Sequence, residues 1–240
     1  MRRRWRAIST APEKNKYVTI TKGASREPSS AVAEVLRNAQ FILGAARTNQ
    51  FPIDSGWEVA VAGRSNAGKS SALNVITGLR GLARISKTPG RTREINFFQL
   101  DQERRLVDLP GYGYARVPIP VRQAWQRLVE DYFRQRQCLR GVVVVMDCRH
   151  PLTEFDQQML RWCAHARLPV HLLLTKADKL SRGAATAVLH KVRGELAHSY
   201  KESIGATAQL FSALKRTGVA EAQEKLAKWM EIEEKKGPGI

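Results

Sequence analysis

A chain of 240 residues with 43% hydrophobic content is long enough for one well-cored α/β domain plus a tail, and short for two domains. Its formal charge of +18 exceeds what a small anionic ligand requires and points to a polyanionic partner, nucleic acid first. No apolar run of about 18 residues is present, which excludes a transmembrane helix. Cys138, Cys148 and Cys163 are odd in number and lack C-x-x-C spacing, so they read as reduced thiols of a cytoplasmic protein. Met1-Arg-Arg-Arg4 is followed by no apolar stretch, so no secretory signal is expected.

Residues 1–28 carry Arg2, Arg3, Arg4, Arg6, Lys14, Lys16, Lys22 and Arg26 among Pro, Ser, Thr and Gly. Such a segment buries too little apolar surface to offset its ordering entropy, so a disordered basic tail is expected; an organellar transit peptide is the other reading. A single domain is expected over 29–234, with a short tail at 235–240. Between Ser29 and Thr48, Val32, Val35, Leu36, Ala39, Ile42 and Leu43 follow helical spacing, while Phe41-Ile42-Leu43 reads equally as a short edge strand. Pro52–Gly56 is a loop into the apolar strand Val59-Ala-Val-Ala62, and Ser71–Thr77 predicts a helix.

The segment from Arg80 to Arg93 has no apolar period. Glu94–Leu100 and Arg105–Leu109, separated by Asp101-Gln-Glu103, predict an antiparallel hairpin. Val121, Trp125, Leu128, Val129, Tyr132 and Phe133 form a helical stripe of core type. Gly141–Asp147 is a continuous apolar strand, as central parallel strands are, and Val170–Thr175 predicts a further strand. Helices are expected over 152–167, 184–200 and 219 to about 234, and a strand over 206–211. The alternation implies a three-layer α/β fold, a mostly parallel sheet covered on both faces.

The chemistry lies at the strand ends. Gly63-Arg64-Ser65-Asn66-Ala67-Gly68-Lys69-Ser70 fits G-x-x-x-x-G-K-[S/T] between a strand and a helix. Gly63 and Gly68 are expected to let successive backbone N–H groups face one point at a helix N-terminus, where a phosphate binds. Lys69 can reach the β- and γ-phosphates, and the Ser70 hydroxyl can ligate Mg²⁺. Asp108-Leu109-Pro110-Gly111 fits D-x-x-G: Asp108 would hold Mg²⁺ through water and the Gly111 N–H would meet the γ-phosphate. Thr175-Lys176-Ala177-Asp178 fits [N/T]-K-x-D. The Asp178 carboxylate can accept from both the ring N–H and the exocyclic amine of guanine, a donor pair that adenine lacks. Lys176 would lay its stem along the base, and Phe211-Ser212-Ala213 offers a backbone N–H to the guanine O6. Order, spacing and strand-end placement together favour GTP over ATP.

These motifs, with Thr-Pro-Gly-Arg-Thr (88–92), Ile95-Asn-Phe-Phe98, Asp-Leu-Pro-Gly-Tyr-Gly-Tyr-Ala (108–115) and Asp147 with Arg149-His-Pro-Leu152, resemble the EngB (YihA/YsxC) family of TrmE-Era-EngA-YihA-Septin-type GTPases, over about residues 41–230. The resemblance implies a Ras-like G domain with a mostly parallel sheet and one antiparallel edge strand. It also implies a monomeric, membrane-independent cytoplasmic GTPase that binds the large ribosomal subunit, its rRNA or its proteins, and serves subunit assembly and cell division or septation. It carries over Thr92 as a switch threonine that ligates Mg²⁺, and implies that Gly90, Arg91, Thr92, Arg93 and Glu94 border the nucleotide. Lys69, Thr92 and Gly111 would carry the catalytic roles. One departure is Arg93, where this family leads one to expect Gln.

The position where many GTPases place a water-orienting Gln is Tyr112, so slow intrinsic hydrolysis is expected. Asn66 is a candidate K⁺ ligand that could raise the rate in cis. An alternative is an RNA chaperone that nucleotide merely stabilises, with negligible turnover; a P-loop kinase is disfavoured by Asp178 and the Ser212 loop.

Overall fold

The computed structural model describes residues 30–82, 94–113, 118–200 and 205–233. The expected tails at 1–28 and 235–240, and Gly90, Arg91, Thr92 and Arg93, lie outside the described residues. The described residues form six α-helices, α1 (Ser30–Arg37), α2 (Lys69–Thr77), α3 (Ile119–Gln135), α4 (Glu154–His165), α5 (Arg182–Tyr200) and α6 (Val219–Trp229). Seven strands are β1 (Gln40–Ala45), β2 (Trp57–Gly63), β3 (Ile95–Gln99), β4 (Arg104–Asp108), β5 (Leu139–Asp147), β6 (Val170–Thr175) and β7 (Thr207–Leu210), in the sheet order β1-β3-β4-β2-β5-β6-β7.

Strand β2 pairs parallel with β4 and β5, and β5, β6 and β7 continue the parallel run. The two-residue period of β5 explains why its apolar run is unbroken. Val142, Val144 and Met146 face a core under α3, α4 and α5, while Val143 and Val145 face a second core under α1, α2 and α6. Each of these side chains contributes roughly 1.5–3 kcal/mol by leaving water.

Two details differ from the sequence reading. The Ser29–Thr48 segment is both things it could have been: a helix to Arg37, then strand β1 from Gln40. Strand β1 pairs antiparallel with β3 through a bulge between Phe41 and Leu43, and Phe41 meets Phe98 edge to face at 5.8 Å. The antiparallel strand β3 is therefore covered by β1 and is not itself the sheet edge. The last helix ends at Trp229 rather than near 234, because the Arg104 guanidinium takes the Met230 and Glu231 carbonyls at 2.8 and 2.9 Å and Glu231 turns left-handed (φ 52°).

On β6, His171 is buried. One ring nitrogen meets Thr207 Oγ1 at 2.8 Å and the other Gln209 Oε1 at 2.7 Å, while Gln209 donates its amide to Gly218 O at 2.7 Å. Gln209 Oε1 can only accept, so Nε2 carries the proton and Nδ1 accepts from Thr207. Burial pushes this imidazole down to about 4. A folded-state value below the unfolded one, about 6.5, means that its stabilising contribution is complete above that pH. It is lost as pH falls from there through 4, at most about 3 kcal/mol in all. Urea unfolding of wild type and His171→Gln should therefore diverge less at pH 4.5 than at pH 7.5; an equal gap at both values refutes the assignment.

Candidate functional site

Parallel register brings the C-terminal ends of β2, β4, β5 and β6 to one edge. Val61 stands beside Asp108, Gly63 beside Val145 and Asp147 beside Thr175. The phosphate loop leaves β2 there. A Cβ on Gly63 would lie 2.8 Å from Val145 O, so this glycine is required by the close approach of β5 and not by a left-handed turn. Gly68 does need its freedom, at φ 97°, and Asn66 also turns left-handed at φ 63°. Gly68 caps α2 without any side-chain hydrogen bond, so the first-turn N–H groups, next to Lys69 and an exposed Ser70, remain open for an anion. Lys69 Nζ forms an ion pair with the buried Asp108 carboxylate. Asp108 and Leu109 are buried, Pro110 follows, and a Cβ on Gly111 would stand 3.6 Å from Ser65 N, so D-x-x-G lies against the phosphate loop. Glu94 sits at the start of β3 with its carboxylate against Gly44 of β1.

The loops that carry Thr175–Asp178 and Phe211–Ala213 meet beside it. The Ser212 hydroxyl donates to Asp178 Oδ1 and accepts from Lys215 N at 3.1 Å. Of the three N–H groups in Phe211-Ser212-Ala213, Phe211 donates to Leu174 O and Ser212 to Thr217 O, which leaves Ala213 for a guanine O6. Thr175 Oγ1 sits within hydrogen-bond reach of both Ala67 O and Met146 O, and Ala177 N donates to Phe211 O at 3.2 Å. Lys176, left-handed at φ 57°, donates to Asn66 O at 2.7 Å. The phosphate and base loops are thus tied to one another by Thr175 and Lys176.

Tyr112 is not a surface residue facing the phosphates. It is buried, its hydroxyl donates to Asp156 Oδ1 at 3.2 Å, and its ring lies 6.1 Å from that of Trp125, which is 6.0 Å from Trp162. Its carbonyl accepts from Ser65 N at 2.9 Å, so the chain past D-x-x-G runs as a bridge beside the phosphate loop. Asp156 also takes Thr153 N and Oγ1 at 3.0 and 2.7 Å and lies 3.7 Å from Arg64 Nε. Burial raises both the Tyr112 phenol and the Asp156 carboxyl, which keeps the phenol protonated as a donor. Sequence reading passed over Asp156; its one signal was the capping pattern Thr153-x-x-Asp156 at the start of α4.

Residues 58–176 match the family described as 50S ribosome-binding GTPase (MMR_HSR1). The matched segment is a GTPase domain. In fold the GTPase resembles a probable GTP-binding protein engB, at 18% identity and a TM-score of 0.59 over 72% of this chain and 98% of the other. It also resembles the elongation factor SelB of Methanococcus maripaludis in complex with the GTP analogue GppNHp (17% identity, TM-score 0.52, 79% of this chain), of which it spans 36%. A GTP-binding protein of Sulfolobus solfataricus in complex with GDP gives 20% identity and a TM-score of 0.51, over 73% of this chain and 52% of that one. The GTPase fold is thus of the EngB type, α/β with a mostly parallel sheet, as the strand-end motifs imply. Among the described residues no helix is long and apolar enough to cross a membrane.

The oxygen donors present suit Mg²⁺. Ser70 offers a hydroxyl at the first turn of α2 and Asp108 a carboxylate beside it, the hard ligands a small dication takes together with phosphate oxygens.

Proposed function

We propose that this GTPase is a nucleotide-gated switch in assembly of the large ribosomal subunit, acting as a cytoplasmic monomer that docks on rRNA or ribosomal protein in its GTP form. Disturbed cell division and septation would follow from its loss. The observation that carries the reading is the connection between the site and the basic chain. Arg84, Lys87, Arg91 and Arg93 immediately precede β3, and Asn96 of β3 stands opposite Asp108. A γ-phosphate that engages Thr92 and Gly111 would fix that basic segment, and hydrolysis would release it. The +18 charge supports a polyanionic partner, and the family match supports a ribosomal one.

In this reading residues 63–70 wrap the phosphates, Lys69 exchanges Asp108 for the β- and γ-phosphates, and Gly90–Glu94 border the γ-phosphate. Thr175–Asp178 and Phe211–Ala213 read the base. Ser70 and Thr92 would hold Mg²⁺ directly and Asp108 through water, and the ion would supply positive charge against the phosphates. Tyr112, tied to Asp156, supplies no group to orient water, so intrinsic turnover is slow. Rate would be restored by the ribosome or by K⁺ at Asn66, whose main-chain oxygen is taken by Lys176 and whose side-chain oxygen would serve the cation. Equal GTPase rates in K⁺ and Na⁺ buffers of matched ionic strength would remove the K⁺ part.

Salt-controlled co-sedimentation with large ribosomal subunits tests the switch. Association should be strongest with a GTP analogue and weaker with GDP. Equal association with analogue, with GDP and without nucleotide would mean that charge alone drives binding, which is the behaviour of an RNA chaperone.

A further inference from the structure

The acid that ends β5 has no part in the phosphate and base motifs above, yet it sits among them. Asp147 Oδ2 lies 2.9 Å from Lys176 Nζ. Arg149 approaches the same carboxylate with Nε on Oδ1 at 3.0 Å and Nη2 on Oδ2 at 2.7 Å, and its backbone N–H donates to Oδ1 at 3.0 Å. The carboxylate is almost fully enclosed, at 8% exposure. Burial pushes it up, but the bonds from Arg149 and Lys176 outweigh burial and hold it well below the ordinary carboxylate range. It is therefore charged at any physiological pH.

Lys176 is the only described side chain that donates to both the phosphate loop, at Asn66 O, and this acid. A lysine ammonium on a flexible stem is a poor positioning element when held at one point, because four rotatable bonds remain to be ordered. Two acceptors on different loops fix its end. The stem is then held in one place, and the stem is what can cover the face of a base whose edge is bound to Asp178.

We infer that Asp147 is a positioning residue for guanine-nucleotide binding, acting through Lys176 to lock the base-reading loop of β6 onto the phosphate loop of β2. Arg149 supports that role: it grips both carboxylate oxygens and keeps the group from turning away from Lys176. The inference rests on the guanine-site reading of the preceding subsection and adds a residue to it that touches no nucleotide.

The test is a double-mutant cycle on the full chain, read as the dissociation rate of mant-GDP. Asp147→Ala should raise that rate about tenfold, the loss of a charge-assisted hydrogen bond. Asp147→Asn, which keeps the shape and one acceptor oxygen, should raise it less and covers the case in which the alanine variant folds poorly. In a Lys176→Met background, Asp147→Asn should add nothing. A merely structural role for Asp147 would raise the rate by the same factor in both backgrounds, and that result overturns the inference, as does an unchanged rate in the wild-type background. Wild-type preference for mant-GDP over mant-ADP is measured alongside. If that preference is absent, the guanine reading fails and this inference with it; if it is present and the cycle is additive, only this inference fails.

Discussion

Asp178→Asn is expected to exchange guanine for xanthine as the preferred base, with roughly a 10⁴-fold loss of GDP affinity. Guanine presents two donors along the edge that Asp178 is proposed to read, its ring N–H and its 2-amino group, and a carboxylate accepts both. An asparagine keeps one acceptor and turns the other into a donor, leaving the 2-amino group facing an N–H. Xanthine carries a carbonyl at that position and accepts from it. The amide has a defined orientation, because the Ser212 hydroxyl donates to Oδ1 of Asp178 and selects the amide oxygen for that position. The amide nitrogen then occupies the other carboxylate position, opposite the exocyclic group. Titration with mant-GDP and a mant-labelled xanthosine diphosphate decides the matter. Retained GDP affinity in the variant means that the base does not sit on Asp178. Adding Ser212→Ala should weaken the new preference, since nothing then sets the amide.

The second large effect lies at the opposite end of β2 and concerns stability. Glu58 is fully buried and anchors two guanidiniums. Arg105 Nε donates to Oε1 at 2.8 Å, Arg136 donates through Nε to Oε2 at 3.1 Å and through Nη2 to Oε1, and the Tyr132 hydroxyl donates to Oε2 at 3.1 Å. Spare guanidinium protons go to the loop before β2, to Ile53 O at 3.0 Å from Arg105 and to Pro52 O at 2.7 Å from Arg136. Both arginines are nearly as enclosed as their partner, at 8% and 4% side-chain exposure. Glu58→Ala leaves Arg105 without a counter-charge and Arg136 with only Asp54, 3.9 Å from its Nε, and should cost about 3–5 kcal/mol, a large part of the roughly 5–15 kcal/mol that holds a domain folded. The midpoint of urea unfolding reports it. Asp131→Ala, which breaks the exposed pair with Arg134, is the control and should cost less than about 0.5 kcal/mol. Comparable losses in the two variants would mean that the buried network is not what holds this end of the sheet.

Much of this molecule was legible in its residues, and the reason differs from element to element. Strands β2, β5 and β6 carry the apolar runs 59–62, 142–146 and 172–174 because both faces of a central parallel strand are covered, a pattern that few other environments produce. The three motifs were legible because phosphate and guanine chemistry demand fixed residue types at short spacing, and each lies within a single loop. Segment 29–48 was ambiguous because Phe41, Ile42 and Leu43 satisfy both periods; only the presence of β3 as a pairing partner decides for a strand.

The sequence by itself determined the fold class and the positions of the phosphate-loop and T-K-x-D motifs at strand ends, since each depends on residues close together in the chain. Only the tertiary structure decided which residues serve those loops from a distance. Gly63 owes its lack of a side chain to Val145, more than eighty residues on, and Tyr112 is withdrawn from the phosphates by Asp156 on α4. Asp147 meets Lys176 because β5 and β6 end side by side. Local chemistry is written in spacing along the chain. The contacts that position it depend on strand order and register, which no short stretch of sequence contains.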